Sequence, residues 1–411
     1  MDRSGVKTDR HHDARRGSAA LSISGDRIVM ASTVLELDEY APEWDLLVEQ
    51  APARVHSITH AWITSFYRHF VGPGSRCRCV LAFDADRLVG VMPLVVSKKY
   101  VSFFTKTEAC PPANTQTFAA DLVCRAEDAD GIIDAMVGGL DRFLRGAWEL
   151  SFHHVSERSE VVRHFRAKSG RTLSFSEIDG YGNFVPVEGS FEDYLGSLRH
   201  EFARNLRRVG HKLERFPDYR LDFSKGDDAG GSRISRFLTL EASGWKGQQG
   251  TAILCDKSEQ AFYREFTRRL DRRGWLRWHE LHADGALLAS QMAVQIGRVL
   301  YVWKIAHDEK YKAFAPGNVL MLETIRMAFA EGGTDEVNCL TNSAWNRDWN
   351  MRQRAYYNVL VWPRRPLPFL AGYCRVRSKV FLRRVPLAKR FYHALRGAAA
   401  HADRRRSAKP D

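Results

Sequence analysis

Residues 312–333, KAFAPGNVLMLETIRMAFAEGG, constrain the fold more than any other stretch. Pro316-Gly317 follows a strand-like run, RVLYVWKIAHD, and leads straight into an apolar segment of helical spacing. The first N–H groups of a helix have no partner within it, and that end carries partial positive charge. A glycine there lets an anion approach the backbone closely. Pro316 fixes the first turn and Asn318 is placed to cap it. Leu322, Ile325 and Phe329 share the face that holds the helix on a sheet, and Gly332-Gly333 stops it. The loop therefore suits an anion, a diphosphate above all. The same residues also suit a plain turn ahead of a helix, so the neighbouring segments have to decide.

Those segments have a definite order. EWDLLVEQ and THAWITSFYRHFVG read as helices. RCRCVLAFDADRLVGVMPLVVSKK reads as strand, turn, strand. ADGIIDAMVGGLDRFLRG is an amphipathic helix, and WELSFHHV a strand. A similar order returns later. SEQAFYREFTRRLDRRG is a helix, followed by strand WLRWHELHA, a turn at Asp284-Gly285, and strand ALLASQMAVQIG. Next come RVLYVWKIAHD, the Pro-Gly loop and its helix, strand DEVNCLT, short helix AWNRDWNMR and a last strand, AYYNVLVW. The two hairpins are alike only in pattern, which points to two related halves.

With 411 residues the chain suits two domains of roughly 100–200 residues each. No window reaches about 18 uninterrupted apolar residues, so no spanning helix is expected. The opening residues are charged and polar, without the apolar centre of a signal peptide, and residues 1–28 are expected to be a disordered leader. The seven cysteines have neither the number nor the spacing of a disulfide scaffold, and Cys77 and Cys79 are too close for a zinc pair. No metal site and reduced thiols are expected.

The net charge of +13 is unevenly placed. Residues 364–411 hold 14 Lys/Arg against 2 Asp/Glu, whereas the rest has 48 against 47 and is close to neutral. The body thus lacks the footprint of a nucleic-acid binder. Between the halves, SFEDYLGSLRHEFARNLRRVGHKLERF opens on a capping box at Ser190. Phe191, Leu195, Leu198, Phe202, Leu206, Val209 and Leu213 make one apolar stripe, which predicts a single long helix. Its other faces carry Arg199, Arg204, Arg207, Arg208, Lys212 and Arg215. They suit the phosphates of a ligand, and equally a solvated face.

The segments EASGWKGQQGTAI (241–253) and YVWKIAHDEKYKAFAPGNVL (301–320), with RNLRRVGHKLE (204–214) and FDADRLVGVMPLVV, resemble the GNAT superfamily of acyl-CoA transferases. The similarity is to its CelD-like branch, with FemAB-type tandem GNAT proteins as more distant relatives. It covers residues 35–363 in domain order, but its specific motifs lie in the second half. The resemblance implies an α/β fold of two tandem GNAT-like domains, each a mixed, mostly antiparallel sheet flanked by helices. The expected limits are 29–180 and 181–365, with a basic amphipathic tail at 366–411.

The resemblance also implies a site. Acyl-CoA, acetyl-CoA or another, would be the co-substrate, its diphosphate on Ala315, Pro316, Gly317, Asn318 and Val319. Pantetheine would pair with the strand at 300–306, where two strands part. The acceptor would attack the thioester directly, which needs a base and oxyanion donors, and a tyrosine often protonates the leaving thiolate. Asp308, Lys304 and Glu241 are the candidate catalytic residues, with Asp308 or Glu241 as base. Trp245, Lys246, Gln291 and Tyr311 are the candidate acceptor contacts, and one of Tyr356 and Tyr357 is expected to face the cleft. Asn346, Arg347 and Asp348 stand where the family commonly has a Tyr-Lys pair, which leaves the acceptor open.

The expected partner is a small-molecule or glycan-precursor acceptor, with nucleic acid disfavoured. The tail, RRPLPFLAGYCRVRSKVFLRRVPLAKRFYHALRG, has the composition of a surface helix for an anionic membrane. A cytoplasmic protein, peripheral at the inner membrane face, is the expectation. Two alternatives stay open: a FemAB-like transferase using aminoacyl-tRNA, and a non-catalytic accessory protein of polysaccharide biosynthesis.

Overall fold

The computed structural model describes residues 20–23, 26–101, 104–144, 146–167, 172–226 and 231–363. The first half supplies strands β1 (Ala20–Ile23), β2 (Asp26–Ala31), β3 (Ser75–Asp84), β4 (Arg87–Val101), β5 (Phe104–Cys110), β6 (Val123–Cys124), β7 (Trp148–Ser156) and β8 (Thr172–Pro186). The second supplies β9 (Arg220–Lys225), β10 (Leu276–Ala283), β11 (Ala286–Ile296), β12 (Val299–His307), β13 (Glu336–Asn338) and β14 (Arg352–Pro363). All join one sheet in the order β1-β2-β3-β4-β5-β7-β14-β8-β13-β12-β11-β10-β9, with β6 beside β4.

The two halves repeat one plan. In the first, β3, β4 and β5 are antiparallel and β5 runs parallel to β7, with helix Ala129–Leu144 between them in sequence. In the second, β10, β11 and β12 are antiparallel and β12 runs parallel to β13, with helix Pro316–Glu331 between them. Both hairpins close with two residues, and Asp284 (φ 53°) and Gly285 (φ 66°) take the left-handed conformations that match strand twist.

The halves then exchange strands. β8 leaves the first half and pairs with β13 of the second, while β14 returns to pair with β7. β8 and β14 pair with each other along their length. The boundary expected at residues 180–181 therefore falls inside β8 and does not separate two units. The junction encloses a buried ion pair: Arg354 on β14 reaches over β8 to Glu336 on β13, with Nη1–Oε1 2.7 Å and Nη2–Oε2 2.6 Å. Its guanidinium lies over the Phe184 ring. Gly182 makes room here, because a Cβ would stand 2.6 Å from Tyr356 and 2.8 Å from the Leu340 carbonyl. A second seam joins helix His60–His69 to helix Lys257–Arg272, where Trp62 packs edge-on against Phe262 and Phe266.

Two other expectations need correction. β1 and the start of β2 occupy the end of the expected leader, because the β1–β2 hairpin extends the sheet edge. The single helix expected over 190–215 is two, Phe191–Ser197 and His200–Leu213. Leu198 is extended (φ −72°, ψ 155°) after the weak helix formers Gly196 and Ser197. Leu195, Leu198, Leu206 and Leu213 are buried all the same, so the core selects the stripe and tolerates the break. The basic tail from 364 onward lies outside the described residues. Among them, no helix is long and apolar enough to cross a membrane.

Candidate active site

The parallel ladder of β12 and β13 is short. It runs through Val299↔Glu336, Leu300↔Val337 and Tyr301↔Asn338, and there the strands part. Leu340 takes a left-handed φ of 64°, uncommon for a residue with a side chain, and carries the chain away. The Asn338 side chain holds that bend by accepting from the Leu340 N–H at 2.7 Å. Two adjoining cavities fill the gap, sharing Ile305 and Trp345.

The first cavity, about 410 Å³, is walled by His307, Lys312 and the stretch 315–318. Asp308 caps the turn Glu309–Phe314 by accepting from the Lys310 N–H at 2.9 Å. Ala315 (φ 45°, ψ 54°) then reverses the chain into the helix, with Pro316 in its first turn. The Ala315 carbonyl takes the N–H groups of Asn318 and Val319 at 3.0 and 3.1 Å. The Gly317 N–H has no acceptor among the described residues. A backbone donor, a helix N-terminus and two basic side chains thus meet at one concave spot, an arrangement that binds anions.

The second cavity, about 450 Å³, lies between the halves. Trp245, Lys246 and Lys304 line it from the second half, together with Thr341 and Ser343, and residues 115–118 line it from the first. Lys304 Nζ donates to the Gln116 side-chain oxygen at 2.6 Å. Burial lowers its pKa to about 8, helped by Lys246 and opposed by Glu241 and Glu259. Near neutrality a usable fraction of this amine is unprotonated, as a proton acceptor requires.

The first half differs at both corresponding places. Its β5–β7 ladder also parts, after Ala109↔Leu150, but Ala120 bridges to His153 and closes the gap. A cavity of about 370 Å³ lies at the start of its helix Ala129–Leu144, but Glu127, Asp128 and Asp130 line it beside Arg163, a net negative lining that disfavours an anion.

The structure brings Ala315, Pro316, Gly317 and Asn318 together on the first cavity, while Val319 points into the core at 3% exposure. Lys304, Trp245 and Lys246 meet on the second. Glu241 is a buried carboxylate, accepting from Lys246 Nζ at 2.6 Å and the Ile253 N–H at 3.0 Å. Those bonds make it an anchor for the Trp245–Lys246 turn. Asp308 lies outside both cavities, occupied with its cap. Tyr311 donates to Asp284 at 2.9 Å. Gln291 is fully buried, accepting from Thr324 at 2.8 Å beneath the helix. Tyr356 is buried against His154, and Tyr357 accepts from Arg166. Asn346 donates to the Thr341 carbonyl and Asp348 pairs with Arg199. Sequence reasoning missed His307, Lys312, Trp345 and Gln116. The first three lie within segments already singled out. Gln116 carries no signal, because only the packing of the halves brings it there.

Residues 200–346 match the family model described as acetyltransferase (GNAT) domain. This half is a GNAT acyltransferase domain. The fold as a whole is similar to that of FemX, at 10% identity over 78% of this chain and 95% of that one, with a TM-score of 0.52. A C-terminal domain of a putative lysylphosphatidylglycerol synthetase from Agrobacterium fabrum is similar at 11% identity over 83% and 95%, TM-score 0.47. A tandem GNAT protein from the clavulanic acid biosynthesis pathway is similar at 13% identity over 81% and 98%, TM-score 0.40. No curated protein matches the chain. The matched half walls the first cavity, and both halves line the second.

Proposed function

We propose that the chain transfers an acyl group from acyl-CoA to an amine or hydroxyl, using the second half alone for the donor. The parting of β12 and β13 beside the Ala315–Asn318 loop carries this reading. It offers an extended edge for pantetheine and, next to it, a donor-rich pocket for the diphosphate. The acceptor would enter the cavity between the halves. Its nitrogen or oxygen attacks the thioester carbonyl, its proton passes to Lys304 Nζ, and the C–S bond breaks to release CoA thiolate. Trp245, Trp303 and Trp345 line that cavity, and flat indole faces suit a sugar ring. We therefore favour an acceptor of the polysaccharide or cell-envelope class, as in the CelD-like branch, with the basic tail as a membrane contact.

Gly317→Glu tests the donor site. A Cβ there meets nothing nearer than His307 at 3.7 Å, so the variant should fold. Its carboxylate would face the diphosphate, and like charges so placed cost several kcal/mol. Calorimetry should show acetyl-CoA binding weakened by roughly 100-fold or more, with the melting temperature little changed. Failure of wild type to bind acetyl-CoA or longer acyl-CoAs would overturn the reading. It would favour the FemAB-like alternative, which the exposed Arg204, Arg207 and Arg208 also suit. Salt-sensitive tRNA binding would mark that case.

A further inference from the structure

The segment 111–122 of the first half does two things. At its end, Ala120 pairs with His153 and closes the first half's own gap. In its middle, residues 115–118 form a wall of the second half's cavity. The segment is firmly held: the Asn114 side chain accepts from the Gln116 N–H at 2.9 Å, the Asn114 N–H donates to Thr117 at 3.0 Å, and Ser57 donates to the Ala119 carbonyl at 2.7 Å.

Gln116 stands at the centre of a converging network. Its side-chain oxygen accepts from Lys304 Nζ at 2.6 Å and from the Tyr263 hydroxyl at 2.9 Å. Its nitrogen donates to Glu259 at 3.1 Å. A carboxylate accepts only, so Glu259 fixes which end of the amide is the nitrogen and turns the oxygen toward the lysine. Two donors use both lone pairs of that oxygen. We propose that Gln116 is a positioning residue for the second half's chemistry, holding the Lys304 amine at the acceptor cavity. The first half thus completes a site that it cannot form for itself. This rests on the reading of Lys304 as proton acceptor. The other ionisable groups around the amine are Lys246 and Glu241 from one side, Glu259 and Tyr263 from helix Lys257–Arg272, and the buried His56.

The test is the pH dependence of Lys304 labelling by acetic anhydride in the full chain, read by peptide mass spectrometry with exposed Lys310 as reference. Wild type should show a midpoint near 8. Gln116→Glu sets a negative charge beside the amine and should raise the midpoint by roughly one pH unit or more. Gln116→Met removes the acceptor and should lower it, because the ammonium loses a hydrogen bond. It also avoids a new charge near Glu259, so it decides the matter if the glutamate variant does not fold. The rising limb of acetyl-CoA thiol release should move with the same midpoints. A merely structural role would lower activity and leave both midpoints where they are, and identical midpoints in all three proteins would overturn the proposal. Acetyl-CoA calorimetry on the same proteins keeps the two readings apart: absent binding by wild type refutes the acyl-CoA reading, while the labelling still decides Gln116.

Discussion

Lys304→Met should lower acyl transfer by roughly 10²–10⁴-fold, the range for loss of a positioned general base. Acetyl-CoA affinity should hold, since Lys304 lines the acceptor cavity and not the Ala315–Asn318 pocket. The substitution keeps an unbranched chain against the Tyr263 ring, so packing should survive. In wild type the rate should rise with pH through about 8, because only the neutral amine takes a proton. The same depression makes a stability statement. The folded amine loses its proton near 8 while the unfolded one keeps it to its ordinary value of 10.5. Between those limits the unfolded state binds more protons, so this residue adds stability as pH rises through the window. Lys304→Met should remove both the rising limb and that increment. A rate still rising through pH 8 in the variant would remove Lys304 from the chemistry.

Arg354→Met should cost about 3–5 kcal/mol, the usual penalty for leaving one member of a buried ion pair alone. Arg354 and Glu336 are both nearly inaccessible, 7% and 6% exposed at their side chains; the orphaned carboxylate would keep the neutral Asn338 amide at 2.7 Å and, as a counter-charge, Arg158 at 3.7 Å. The pair ties β14 to β13 across β8, where the two halves exchange strands. Loss should therefore lower the melting point of the whole chain in one transition. The double substitution Glu336→Leu with Arg354→Met should recover much of the loss, since apolar replacement of both members is often neutral. Denaturant unfolding measures both. Two separate transitions, with the first half unaffected by Arg354→Met, would contradict the shared sheet.

These two residues also mark what the sequence could reveal. The hairpins, the Pro316-Gly317 loop, its helix and the strand carrying Lys304 are all local: alternation, two-residue turns and helix punctuation specify them within a few residues. The strand exchange is not local. TLSFSEIDGYGNFVP, which becomes β8, has little alternation and three interior positions, Asp179, Gly180 and Gly182, unfavourable to strands. Its partners at residues 336–338 and 352–363 decide it. Asp308 and Gln291 look free in one dimension, yet one is used by the next turn and the other by a neighbouring helix. Glu241 reads as a helix-end carboxylate and proves buried, because the turn it precedes folds back over it.

The central claim is that one acyl-CoA binds per chain, in the second half. The most direct measurement is the calorimetric stoichiometry of acetyl-CoA with wild type, Gly317→Glu and Gly131→Glu. Gly131 stands in the first turn of the matching helix in the first half, and a Cβ there meets nothing within 4 Å. One site in wild type, kept in Gly131→Glu and lost in Gly317→Glu, is the predicted result. Two sites, or a site lost in Gly131→Glu and kept in Gly317→Glu, would contradict the account.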